Sequence, residues 1–220
     1  MRRLSAVLTA AILAIALAGP ASAANGGHGF MPPNARAHGH SLTQLAAAWD
    51  LWAFGTAADD NPLLANRCEP SPLDSRVWFL PVSLGGDYAV DCAIPNGAFL
   101  VLTPGGYECS AAEGNGSTQT ELQACADAGF ALITEVELAL DGAPAKHLER
   151  YVVTSPIVSL PGPNLLSDDP TPSLIKGYFL VIAPLSHGQH TLRAFDAFAS
   201  IGLTAGITYN ITVGGSAKPH

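Results

Sequence analysis

Four cysteines in a chain that opens like an exported protein constrain its fold more than any other feature. Arg2 and Arg3 precede an apolar run from Ala6 to Ala18, followed by a Gly19-Pro20 break and the small-residue exit Ala21-Ser22-Ala23. This is the layout of a cleaved secretory leader over residues 1–24. The run is shorter than the about 20 apolar residues a membrane span needs. Export places Cys68, Cys92, Cys109 and Cys125 in an oxidising compartment, extracellular or periplasmic, where an even set of cysteines forms disulfides. The expected pairs are Cys68 with Cys92 and Cys109 with Cys125, because each closes a local loop. On the chain-entropy account each bridge stabilises the fold by roughly 3 kcal/mol. A zinc or redox role would call for C-x-x-C spacing, which the sequence lacks.

Composition narrows the architecture. Gly contributes 22 residues and Pro 17, while charged residues are only 13% of the chain, a balance that suits short elements joined by tight turns. The 10 Lys and Arg against 18 Asp and Glu leave a formal charge of −8, and loss of Arg2 and Arg3 with the leader makes the chain more acidic still. That sign opposes binding to a phosphate backbone and argues against a nucleic-acid partner. The most apolar later runs, Phe99 to Thr103 and Tyr178 to Ala183, are strand-sized, so no transmembrane segment is expected after the leader.

The expected organisation is a flexible, Gly-, Pro- and His-rich arm over 25–40, a single β-rich domain over 41–214 and a tail over 215–220. Ser41 and Gln44 form a capping box, and Leu42, Leu45, Trp49 and Trp52 share one face of the helix that Gly55 closes. That stripe is read as packing onto a sheet, in preference to a platform for stacking sugars. A second short helix is expected over 118–128, capped by Thr118 and Glu121 and stopped by Gly129. Strands are expected at 76–82, 88–92, 98–103, 132–141, 148–153, 157–160, 178–185, 190–198 and 206–213, with a Pro/Asn/Asp loop reaching Pro172. The fold class is therefore mainly β, a two-sheet β-sandwich or jelly-roll-like domain with an N-terminal amphipathic helix and one short inserted helix.

Taken together, several motifs resemble a family of secreted bacterial proteins. They are W-x-x-W at Trp49 and Trp52, Asn61-Pro62, Cys68, Val77-Trp78-Phe79-Leu80, Cys92-x-Ile94-Pro95-x-Gly97, Glu108-Cys109, Gly177-Tyr178-Phe179 and Gly188-x-His190-Thr191-Leu192. The resemblance implies export and a single domain, and it carries over no catalytic residue.

Motifs for known chemistries are missing: there is no G-x-S-x-G elbow, H-E-x-x-H helix, P-loop or dinucleotide-binding glycine fingerprint. Histidine pairs are the candidate metal ligands: His38 with His40 on the arm, near His28, and His187 with His190 at a strand start. Glu135 and Glu137 share a strand face at a spacing that can serve two-carboxylate chemistry, although a solvent-facing strand gives the same pattern. Asp59, Asp60, Asp168 and Asp169 are loop carboxylates of the type calcium takes, without a calcium-loop signature. No cofactor is expected. The reading these features support is a non-catalytic module binding an extracellular ligand, glycan or protein. The alternative is a secreted hydrolase or metal-dependent enzyme using His187/His190 or Glu135/Glu137.

Overall fold

The strongest alternation in the chain builds the centre of one layer. In Leu203–Val213 the odd-numbered residues from Ala205 through Ile207, Tyr209 and Ile211 to Val213 are buried, so one face of an eleven-residue strand is continuously apolar. The computed structural model describes residues 29–214. The expected leader (1–24), the start of the arm with His28, and the tail (215–220) lie outside the described residues.

Thirteen strands and two α-helices make up the described chain: β1 Glu69–Ser71, β2 Asp74–Phe79, β3 Gly86–Ile94, β4 Phe99–Leu102, β5 Gly106–Ser110, β6 Glu135–Leu140, β7 Ala143–Pro144, β8 Val152–Thr154, β9 Val158–Leu160, β10 Thr171–Tyr178, β11 Leu180–Ile182, β12 Gly188–Phe198 and β13 Leu203–Val213, with α1 Leu42–Phe54 and α2 Gln119–Phe130. The fold is a mainly β sandwich. One layer is the sheet β3-β13-β12-β6-β7. The other consists of two ladders, β1-β2-β4-β11 and β5-β10-β8, with β9 also on β10. These two ladders are successive stretches of the same strand pairing: Leu102 faces Leu180 and Gly106 faces Gly177. Between those pairs, Thr103, Pro104 and Gly105 on one chain oppose only Tyr178 and Phe179 on the other. The extra residue acts as a β-bulge, breaking the sheet and bending it.

Both helices form where their caps predict. Ser41 with Gln44, and Thr118 with Glu121, make complete capping boxes. α1 packs against β8, β9 and β10, and α2 covers the opposite face of β10 and β5. The tryptophan stripe is core: Trp49 and Trp52 are 1% and 6% exposed, and their rings pack against Phe179 and Phe79. The two disulfides join Cys68 to Cys92 and Cys109 to Cys125, as the loop lengths suggest. The second ties β5 to α2 within a small buried cluster of Cys109, Leu122, Ala126 and Leu174.

Several expectations are corrected. The arm over 25–40 is docked from Gly29 onward: Met31 N–H donates to the Val181 carbonyl, Ala183 N–H to that of Gly29, and Tyr151 Oη–H to that of Met31. The segment thereby covers an edge of β11 that would otherwise be open. Gly129 lies inside α2, which runs on to Phe130, because its role is close approach: a methyl there would overlap the Tyr107 ring. After the Asp141-Gly142 turn, where both residues have positive φ, the return strand is only Ala143–Pro144. Pro144 has no N–H to extend the ladder. The strand expected at 148–153 is a 3-10 turn over Leu148–Tyr151 followed by β8, which pairs with β10 instead of β6. β10 begins at Thr171, inside the stretch read as a loop through Pro172.

Candidate functional site

Three acids stand where the pattern of their own element demands an apolar residue. Asp50 lies on the buried stripe of α1 with Leu42, Leu45, Ala46, Trp49 and Ala53, and it is fully buried. Asp196 follows Leu192 and Ala194 on the inward face of β12 and is 8% exposed. Glu108, on β5, projects from the same face as Ser173 on β10, toward α1. Buried carboxyls are costly unless they are paired or neutral.

Ser173 joins two of them. Its Oγ lies 3.0 and 3.1 Å from the two Asp50 carboxyl oxygens and 2.6 Å from Glu108 Oε1. One hydroxyl carries one proton, so it can donate to only one of these acids, and the other bond forms only if the second carboxyl itself donates. The geometry therefore requires a proton on the pair. Burial, which far outweighs the Ser173 bond, pushes the Glu108 carboxyl up to about 9, with the charges of Asp50 and Glu113 adding to the rise. Burial likewise raises Asp50 to about 7 against the lowering by Ser173. At neutral pH the consistent arrangement is Glu108 O–H donating to Ser173 and Ser173 O–H donating to Asp50.

Glu108 and Asp196 both face a cleft of about 270 Å³ between the layers. The bulge residues Thr103, Pro104 and Gly105 form one wall, and an added Cβ at Gly105 would sit 3.4 Å from Asp196 Oδ2. Phe54 and Phe198 line it with aromatic side chains, and Leu84 and Ile201 are its exposed apolar residues. Glu113 also lines the cleft and accepts from Ser110 Oγ at 3.0 Å. Burial raises Asp196 to about 7; its own backbone N–H is the one partner that pulls the other way. The lining contains three carboxyls and no Lys, Arg or His.

The residues singled out from sequence lie elsewhere. Glu135 and Glu137 are exposed on β6 and take no part in this cleft. His38 bonds through Nδ1 to Asp74, Arg76 donates to its Nε2, and His40 Nε2 lies 3.6 Å from the same Asp74 oxygen. His190 Nδ1 lies 2.7 Å from Asp141 Oδ2 and its Nε2 lies 3.0 Å from the Ser186 carbonyl, so both ring nitrogens face protein oxygens. Burial pushes that imidazole down, but the bonds to Asp141 and Ser186 hold it above 6.5. His187 is exposed. Asp59 and Asp60 are exposed in a 3-10 turn over Ala58–Asp60, and Asp168 and Asp169 are exposed in a separate loop. Among the described residues, no three His, Cys, Asp or Glu side chains are grouped to hold a metal ion.

No protein-family model matches the chain, and no curated protein matches it. One solved structure, described as the structure of PbICP-C in complex with falcipain-2, aligns over 62% of this chain and 98% of its own at 13% identity, with a TM-score of 0.24. A likeness at that score carries no functional argument. No described helix is long and apolar enough to cross a membrane, and the two disulfides fit an oxidising compartment.

Proposed function

We propose that this chain is an exported, disulfide-braced β-sandwich module that binds a small, largely apolar ligand in the cleft between its layers. The observation that carries this reading is Asp196, a carboxyl on a core-facing position of β12 that faces an apolar cavity and is bonded only to its own backbone among the described residues. A fold gains nothing in stability from such a group, whereas a site needs a few polar groups in apolar walls to orient a ligand. The cavity lies slightly below the ~300–1,000 Å³ of drug-sized sites, which selects a small ligand. Binding is favoured over turnover because the Glu108 proton is directed into the wall, at Ser173. Export rests on the leader, the bridged cysteines and the resemblance to secreted bacterial proteins.

The test is a titration of the protein from residue 25 onward with 2-phenylethanol, a small aryl alcohol, followed by two-dimensional amide NMR. Shifts are expected at Gly105, Tyr107, Ala194 and Phe198. A ligand cleft is contradicted if these amides stay unmoved up to millimolar concentrations of both this alcohol and its amine analogue, 2-phenylethylamine.

A further inference from the structure

The carboxyl side chains that line the cleft favour one kind of head group. Glu108, Glu113 and Asp196 present carboxyl oxygens, and the lining has no cationic side chain to satisfy them. Glu108 and Glu113 are bonded within the wall, to Ser173 and Ser110. Asp196 is 8% exposed and lacks a side-chain partner among the described residues, so its outer oxygen faces the cavity uncompensated. Phe54 and Phe198 line the same cleft, and a cation near an aromatic face gains further from its negative π-surface. A phosphate or carboxylate ligand would meet carboxyls and no base; a neutral alcohol would satisfy one hydrogen bond and supply no counter-charge when Asp196 ionises.

We propose that the ligand of this cleft is a small amphiphilic amine, its ammonium group bound at Asp196 and its apolar body held between the aromatic walls and the bulge at Thr103–Gly105. This rests on the ligand-binding reading above and narrows it to a chemical class. The burial that raises Asp196 supports it, because an incoming cation relieves the same desolvation by ionising its partner.

The experiment compares 2-phenylethylamine with 2-phenylethanol on the wild-type protein at pH 7, using the same cleft amides as reporters. The amine is expected to bind at least tenfold more tightly than the isosteric alcohol. In Asp196→Asn, which keeps size and shape, the preference should fall to within about twofold. Equal affinities in the wild-type protein overturn the amine assignment while leaving the cleft as a site. Amine binding unchanged in a folded Asp196→Asn protein overturns it as well. If neither compound moves the cleft amides, the ligand-binding reading falls with it. The wild-type comparison needs no variant, so a misfolded Asp196→Asn cannot leave the proposal undecided.

Discussion

Ser173 has a single proton to give and two carboxyls competing for it, so the ionisation of the Asp50–Ser173–Glu108 bridge is tied to the stability of the fold. A carboxyl whose folded pKa is raised binds its proton more tightly in the native chain than in the unfolded one. Its stabilising contribution is complete below the unfolded value and is lost as pH rises toward the folded value. For Asp50 that window runs from 3.8 to about 7. At about 1.4 kcal/mol per pH unit the loss is on the order of 4 kcal/mol. Glu108 acts in the same direction over a window reaching higher pH. The melting temperature of the wild-type protein should therefore fall between pH 5 and pH 8, and Asp50→Asn should flatten that slope. Parallel slopes in the two proteins would show that the buried acid is not the cause.

At the scale of elements, β10 is the hub, with α1 on one face and α2 on the other. The Tyr107–Gly129 contact sets how closely α2 approaches β5. Gly129→Ala is expected to cost about 1 to 3 kcal/mol by overpacking. The same change in a Tyr107→Ala background should cost little, and urea denaturation of the four proteins gives the coupling directly. That contact also shows why some elements were legible in the sequence and others were not. β12 and β13 announce themselves, since Leu192 to Phe198 and Ala205 to Val213 alternate with one face buried. β10 hides, because it is covered on both faces and has no alternation, while Pro172 and Gly177 within it mimic loop residues. The cap marks the start of α2, but Gly129 reads as a stop signal because a close approach by Tyr107, distant in sequence, leaves no local trace. The site itself left a usable signal. Asp50 follows Trp49 on the helix whose apolar stripe the sequence shows, Asp196 lies within the strand expected at 190–198, and a buried polar residue in an otherwise consistent element is where function is expected. Pair spacing points instead to Glu135 and Glu137, which lie on the solvent side of β6.

Across the whole molecule, the two layers share one core, and the bulge between β4 and β5 lines a cleft bordered by Glu108 of β5 and Asp196 of β12, with Asp50 of α1 buried behind Glu108 across Ser173. The central claim is that burial holds Asp50, Glu108 and Asp196 well above the ordinary carboxylate range, with no cationic side chain in the cleft lining to bring them down. Side-chain carboxyl ¹³C shifts, followed from pH 3 to pH 10 in the ligand-free protein, test it most directly. The account predicts that Asp50, Glu108 and Asp196 all titrate above pH 6, with the Asp50–Glu108 pair losing its protons in two separated steps. Midpoints near 4 for Glu108 and Asp196, like those of ordinary solvated carboxylates, would contradict it.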